Sequence, residues 1–156
     1  MRKGPSKKRI LAPDPKFNDT LVNRFVNCLM KEGKKNLAYS IFYRAIDKIT
    51  EQTGEDGLEV WRRGLGNVMP SVEVKRRKIG GATLQLPIEV RPDRKISLGI
   101  KWQISAAVAR NEKSMVDKLA NEIIASSKGE GNACKRKSDT HKMAESNRAF
   151  SHHKIK

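Results

Sequence analysis

The chain holds little from which a disulfide scaffold, a membrane anchor or an active site could be built. Its 156 residues include two cysteines, Cys28 and Cys134, neither in a Cys-x-x-Cys context, so both are expected as thiols in a reducing setting. No run approaches the ~18 consecutive apolar residues that a membrane span requires. Ile10, Leu11 and Ala12 are too few to form a signal-peptide core, so secretion is not expected. No Ser/His/Asp order, paired-carboxylate motif or glycine-rich nucleotide loop is present, which points away from an enzyme, a cofactor and a small-molecule substrate. His141, His152 and His153 have no Cys or carboxylate at ligand spacing, so no metal site is expected. Aromatic residues amount to only 5 %, and a charged fraction of 32 % fits a globular body with solvated tails.

Acid is missing where base is densest. Arg2, Lys3, Lys7, Lys8 and Arg9 occur with no carboxylate among the first nine residues. Lys75, Arg76, Arg77 and Lys78 form an uninterrupted run, and residues 135–156 set seven Lys/Arg against Asp139 and Glu145. These three segments hold +14 of the net +16, and the other 121 residues are close to neutral. Charge gathered at both ends and at one internal point suits a polyanion held by arms around a neutral core, with counterions released as phosphates are neutralised. The favoured partner is nucleic acid.

The length suits one domain with a real core. Residues 1–16, with Pro5, Pro13 and Pro15 among the charges, read as an extended basic arm, and 17–150 as one helical body. Leu21, Phe25 and Leu29 beside Val22, Val26 and Met30 make an apolar stripe, with Asp19 as N-cap and Gly33 as stop. A second helix is expected over about 36–53, with Leu37, Ile41, Ala45 and Ile49 inward beside Ala38, Phe42 and Ile46. A third carries Leu58, Trp61, Leu65 and Val68 and halts at Pro70; Gly64 and Gly66 weaken it by roughly 1 kcal/mol each. Alternation then replaces the helical period. Val72 and Val74, a Gly80-Gly81 turn, and Leu84, Leu86, Ile88 and Val90 predict a hairpin over about 72–91, in which Pro87 demands an edge strand. Helical spacing returns with Ile96, Ile100, Ile104 and Val108. Ser114 with Asp117 then opens a helix of Val116, Leu119, Ala120, Ile123 and Ile124 that closes at Gly129. A last helix is expected from an N-cap near Ser138 through Met143, Asn147 and Phe150, with 151–156 a tail. The fold class is thus mainly α: a bundle of about six helices with one protruding two-stranded β-hairpin and basic extensions.

An isolated ribbon is marginal in water unless it is braced, and a charged edge can simply prevent aggregation. Four consecutive cations exceed that need, so phosphate contact is the stronger reading. Gly33-Lys34-Lys35-Asn36 could serve phosphate at a helix start, though a plain linker explains it nearly as well. Gly54-Glu55-Asp56-Gly57 matches a GXXG loop in letters only, since two carboxylates there would repel a phosphate backbone. Trp61 lies on an apolar row and reads as core. Trp102 lies off the Ile96–Ile104 row beside Lys101 and could meet RNA at a boundary.

Over almost its whole length the chain resembles the bacterial small-subunit ribosomal protein seven family. The resemblance is carried by Asp19, Leu21, Gly33-Lys34-Lys35-Asn36-Leu37-Ala38, Ile41-Phe42-Tyr43-Arg44-Ala45, Asn67-Val68-Met69-Pro70 and Val74. It continues in Gly80-Gly81-Ala82, Gln85-Leu86-Pro87-Ile88-Glu89-Val90, Lys101-Trp102 and Met143-Ala144-Glu145-Ser146-Asn147-Arg148-Ala149-Phe150. It implies a six-helix bundle with a β-ribbon that binds the 3′ major domain of small-subunit rRNA and nucleates assembly of the subunit head. It also implies a ribbon near the messenger RNA exit and the exit-site tRNA, with Ile79, Gly80, Gly81 and Ala82 at its tip. The ninth, eleventh, thirteenth and nineteenth proteins of the small subunit would be neighbours. The setting implied is a ribosome of the bacterial cytoplasm or of an organelle that encodes its own. Together with the charge pattern, the expected rRNA contacts are Arg2, Lys3, Lys7, Lys8, Arg9, Lys34, Lys35, Lys75, Arg76, Arg77, Lys78, Arg94, Lys101, Trp102, Arg110, Lys135, Arg136, Lys137, Lys142 and Arg148. A DNA-bending ribbon protein is the rival among binders, but Ile79-Gly80-Gly81-Ala82 offers no apolar wedge. An RNA-modifying enzyme would need a cofactor loop or positioned acid and base, and neither is visible.

Overall fold

Asp19 opens the first helix as expected: its carboxylate accepts the Leu21 N–H at 2.7 Å, and α1 runs over Thr20–Leu29. The computed structural model describes residue 4 and residues 10–79 and 81–151. The chain forms two compact units, Met1–Ser40 and Ile41–Lys156, with the boundary inside α2, Lys35–Thr53.

In the first unit, Val22, Phe25, Val26 and Leu29 of α1 are buried. The helix stops four residues short of Gly33, because Met30 has already turned out of it at ψ 134°. Part of the expected arm is structured. The side-chain amide of Asn23 donates to the Ala12 carbonyl at 2.6 Å, and Tyr39 donates its hydroxyl to the same Asn23. Asp14 is only 2 % exposed, and its carboxylate accepts the N–H groups of Lys16 and Phe17. An Asx turn at Asp14, between Pro13 and Pro15, thus lies within the segment expected as the arm. Proline spacing suggested a loose arm because it shows stiffness without showing what the stiff segment touches.

The second unit is built on α3 (Gly57–Val68), α4 (Pro92–Val108), α5 (Met115–Ser127) and α6 (Gly131–Ser146), with α3, α4, α5 and α6 in mutual contact. Phe42 and Trp61 meet edge-to-face with centroids 5.3 Å apart, an arrangement worth about 0.5–1.5 kcal/mol beyond burial. Gly57 lets α3 start hard against α2: a Cβ there would collide with the Ile46 carbonyl oxygen and lie 2.7 Å from Thr50 Oγ1. Leu37, expected inward, is 56 % exposed, while Ala38, Phe42, Ala45, Ile46 and Ile49 are buried.

Two expectations about helix faces and starts change. The Ile96–Val108 row is not the buried face of α4. Only Ile100 of that row is fully buried and Val108 is exposed, whereas Gly99, Trp102, Gln103, Ala106 and Ala107 are buried. Small residues at 99, 106 and 107 permit close approach on a helix touched by three others, and hydrophobic size alone does not mark such a face. The last helix starts at Gly131, seven residues before Ser138. Its cap is not local: Glu122, fully buried on α5, accepts the Ala133 N–H at 3.1 Å.

Between α3 and α4 stands the ribbon, β1 (Val72–Ile79) paired antiparallel with β2 (Ala82–Glu89). Ile79 opposes Ala82, and Gly81 takes φ +87°, where a side chain is strained; the expected turn's other residue, Gly80, lies outside the described residues. Pro87 sits opposite Val74, and a two-stranded sheet leaves its strand an open edge as expected. Both strands pack on α6, β2 also meets the 3-10 turn Arg148–Phe150, and Leu86 and Val90 are buried. That contact supplies the bracing an isolated ribbon lacks.

Candidate nucleic-acid interface

Alternation along a strand sends neighbouring side chains to opposite faces. The register places Lys75 and Arg77 across from Leu86 and Leu84, and Arg76 and Lys78 across from Gln85 and Thr83. Each face of the ribbon therefore carries two cations about 7 Å apart. All four are exposed, and residues 74–88 contain no carboxylate. A row of cations standing clear of acid, on a narrow element, presents positive potential that attracts polyanions.

The foot of the ribbon is tied on two sides. Arg94 of α4 donates its Nε to both carboxylate oxygens of Glu73 at 2.8 Å, with Nη2 2.7 Å from Oε2. The hydrogen bond and the charge of Glu73 raise the guanidinium further above its ordinary value. Arg94 thus braces the foot of the ribbon while its side chain stays 55 % exposed. On the other side, His141 of α6 accepts the Ser71 N–H through Nε2 at 3.2 Å.

The structure distributes the expected contacts unevenly. On α6, Lys135 and Lys142 are exposed, and Arg148 is exposed on the 3-10 turn that meets β2. Lys137 donates Nζ to the Asn67 carbonyl at 2.8 Å, while the Asn67 side-chain amide donates to the carbonyls of Ser126 and Ser127. One asparagine thereby joins α3, α5 and α6. Arg136 lies over the Trp102 ring at 5.6 Å. Trp102 itself is 9 % exposed in a cluster with Val68, Ala106 and Ala133, so it belongs to the core rather than to a boundary open to bases. Lys101, next to it on α4, is exposed.

Arg110 is also a structural cation. Its Nε donates to Glu122 Oε2 at 2.7 Å and its Nη1 to Glu112 at 3.3 Å. Hydrogen bonding from Asn121, before that from Arg110, holds the Glu112 carboxyl below its ordinary range. In the first unit, Lys34 is exposed beside Glu32 at 2.7 Å, and Lys35 lies over the Tyr39 ring. Arg2, Lys3, Lys7, Lys8, Arg9 and Gly80 lie outside the described residues.

A polar cleft of about 490 Å³ at the end of α5 is lined by Asn67, Lys128, Cys134, Lys137, His141 and Lys142 among others. Burial pushes the Cys134 thiol above its ordinary value, so it stays protonated at neutral pH. Among the described residues, no three His, Cys, Asp or Glu side chains converge as metal ligands. Sequence reasoning assigned no such role to Glu73, His141, Asn67 and Glu122, which hold together the elements that carry these cations. Glu73 and Arg94 stand 21 residues apart, and Ser71 and His141 stand 70 apart, beyond any local spacing rule.

Comparison with known proteins agrees with this architecture. The family described as ribosomal protein S7p/S5e matches residues 1–148. A protein of Amoebophilus asiaticus named small ribosomal subunit protein uS7 is 68 % identical over 155 residues, 99 % of this chain and all of that one. Its namesake in Cytophaga hutchinsonii is 60 % identical over 97 % of this chain and 98 % of its own. That of Solidesulfovibrio magneticus is 48 % identical over 98 % of each. With nearly end-to-end matches at these identities, the chain belongs to the ribosomal protein S7p/S5e family.

Proposed function

We propose that this protein is a primary rRNA-binding protein that organises the 3′ major, or head, domain of small-subunit rRNA. As a member of its family it is a structural, non-enzymatic constituent of the small ribosomal subunit and serves translation. The observation that carries the finer reading is the ribbon: four exposed cations, no acid between residues 74 and 88, and a foot fixed to two helices. Exposed cations on α6 and on the turn after it extend the same charge onto elements that touch the ribbon. A held set of cations recognises the shape of a folded RNA and the placement of its phosphates rather than a base sequence. Binding energy spent on one junction conformation raises its population, which is how a protein without chemistry can direct assembly.

Because its tip carries no charge, the segment from Ile79 to Ala82 adds little to phosphate affinity. Its value is steric, beside the exiting messenger RNA and the exit-site tRNA, with the ninth, eleventh, thirteenth and nineteenth small-subunit proteins as neighbours in the head. The test is footprinting and competition. The protein should protect a junction in an isolated head-domain transcript, and duplex DNA of equal length should compete poorly. Equal competition by duplex DNA would favour the DNA-bending rival.

A further inference from the structure

We propose that Ser71 and His141 form a pH-sensitive latch that sets the ribbon on the helical body, with His141 a positioning residue for RNA binding. The inference rests on the reading that the ribbon binds RNA. Ser71 is the hinge of the ribbon. It follows the buried Pro70, accepts the Val90 N–H through its carbonyl at 3.0 Å, and spends its own N–H on His141 Nε2. The carbonyl bond closes the two strands on each other, and the N–H bond ties this hinge to α6. Its hydroxyl lies 3.4 Å from the same nitrogen.

For Nε2 to accept, the ring must be neutral with its proton on Nδ1. Protonation turns Nε2 into a donor facing the Ser71 N–H donor, so that bond is lost, only the longer contact to the hydroxyl oxygen is left to accept, and the latch loosens. The surroundings favour the closed, neutral form. Burial first, then the Lys137 ammonium, holds His141 below its ordinary value. Lys128, just after α5, and Lys142 and Glu145 of α6 are the other charged groups that line the same cleft. On the ribbon side, Glu73 is committed to Arg94, and Glu89 is exposed across from Val72. A histidine held low in the folded state contributes its bond above the ordinary value of about 6.5, and the bond is lost as pH falls through the lowered value. The Glu73–Arg94 strut is a separate tie that does not involve His141, so loss of the histidine bond frees one side of the foot and leaves the other. A ribbon loosened in this way keeps its cations but must be ordered on binding, which weakens affinity without changing the number of phosphates met.

The experiment compares wild type, His141→Gln, which keeps an acceptor that cannot titrate, and His141→Ala, which has none. The first readout is amide exchange at Ser71 in the free protein, corrected for intrinsic rates. Protection in the wild type should fall below about pH 6.5. It should be flat with pH in the Gln variant and absent in the Ala variant. The second readout is affinity for a head-domain rRNA transcript at pH 7.5. His141→Ala should bind about three- to tenfold more weakly at an unchanged salt slope, with Gln restoring affinity. The same pH profile in wild type and Gln variant would overturn the latch, as would unaltered Ser71 protection in the Ala variant. If the Ala variant does not fold, the comparison of wild type with Gln still decides. A wild type that fails to bind the transcript would instead overturn the functional reading, and Ser71 exchange would still judge the latch.

Discussion

Arg76 and Arg110 carry the same guanidinium to opposite ends. On the ribbon, Arg76 is exposed among three other cations with no carboxylate between residues 74 and 88. In the helical body, Arg110 lies 2.7 Å from the fully buried Glu122 and 3.3 Å from Glu112. Residue type and charge are equal, so neither assigns the role. What separates a cation that serves a partner from one that serves the fold is whether the chain brings a carboxylate within reach. Arg94 makes the point again at the foot of the same ribbon, where Glu73 takes the charge that Lys75, two residues on, leaves open.

The sharpest way to break this comparison is to unpair the body. Glu122→Ala leaves the buried Ala133 N–H without its acceptor and takes from the half-buried Arg110 its shortest one, and should cost about 2–4 kcal/mol of unfolding free energy. Chemical denaturation measures it, and affinity of the folded fraction for rRNA should scarcely move. A loss below about 0.5 kcal/mol would make Arg110 as open as the ribbon cations. A smaller effect of opposite sign is expected at Gly66. A Cβ there meets nothing within 4 Å, so Gly66→Ala should raise stability by roughly 0.5–1 kcal/mol in a thermal melt and leave RNA binding alone. The least effect is expected at Asp117, whose carboxyl is held below its ordinary value by Lys48, then by Ser114. A carboxylate with a lowered value contributes stability above about pH 4 and loses it as pH falls through that lowered value. Asp117→Asn should flatten the acid limb of the stability curve there, and an unchanged limb would show the pair to be idle.

Much of the fold was legible because it is written locally. The Asp19 and Ser114 caps, the Pro70 stop, the hairpin pairing and the change of period at Val72 each depend on neighbours within a few residues, and each appears where expected. The start of α6 was not legible, since its cap comes from Glu122 on another helix. The buried face of α4 was misread because small residues pack closely without scoring as hydrophobic, and Trp102 was misplaced with it. For the interface, clustering of charge marked the ribbon correctly as exposed. Single cations were another matter: Arg94 and Arg110 look like Lys101 in a sequence, and only the fold shows which of them has met an acid.

The central claim is that the ribbon cations neutralise phosphate while cations that have met an acid, such as Arg110, hold the fold. The direct measurement is the salt dependence of affinity for a head-domain rRNA transcript, for wild type and for a variant with Lys75, Arg76, Arg77 and Lys78 all changed to Gln. With each phosphate contact contributing about 0.7–0.9 to the log–log slope, the variant should bind with a slope shallower by about three, and should melt where the wild type does. An unchanged slope, or a variant that unfolds, would contradict the account.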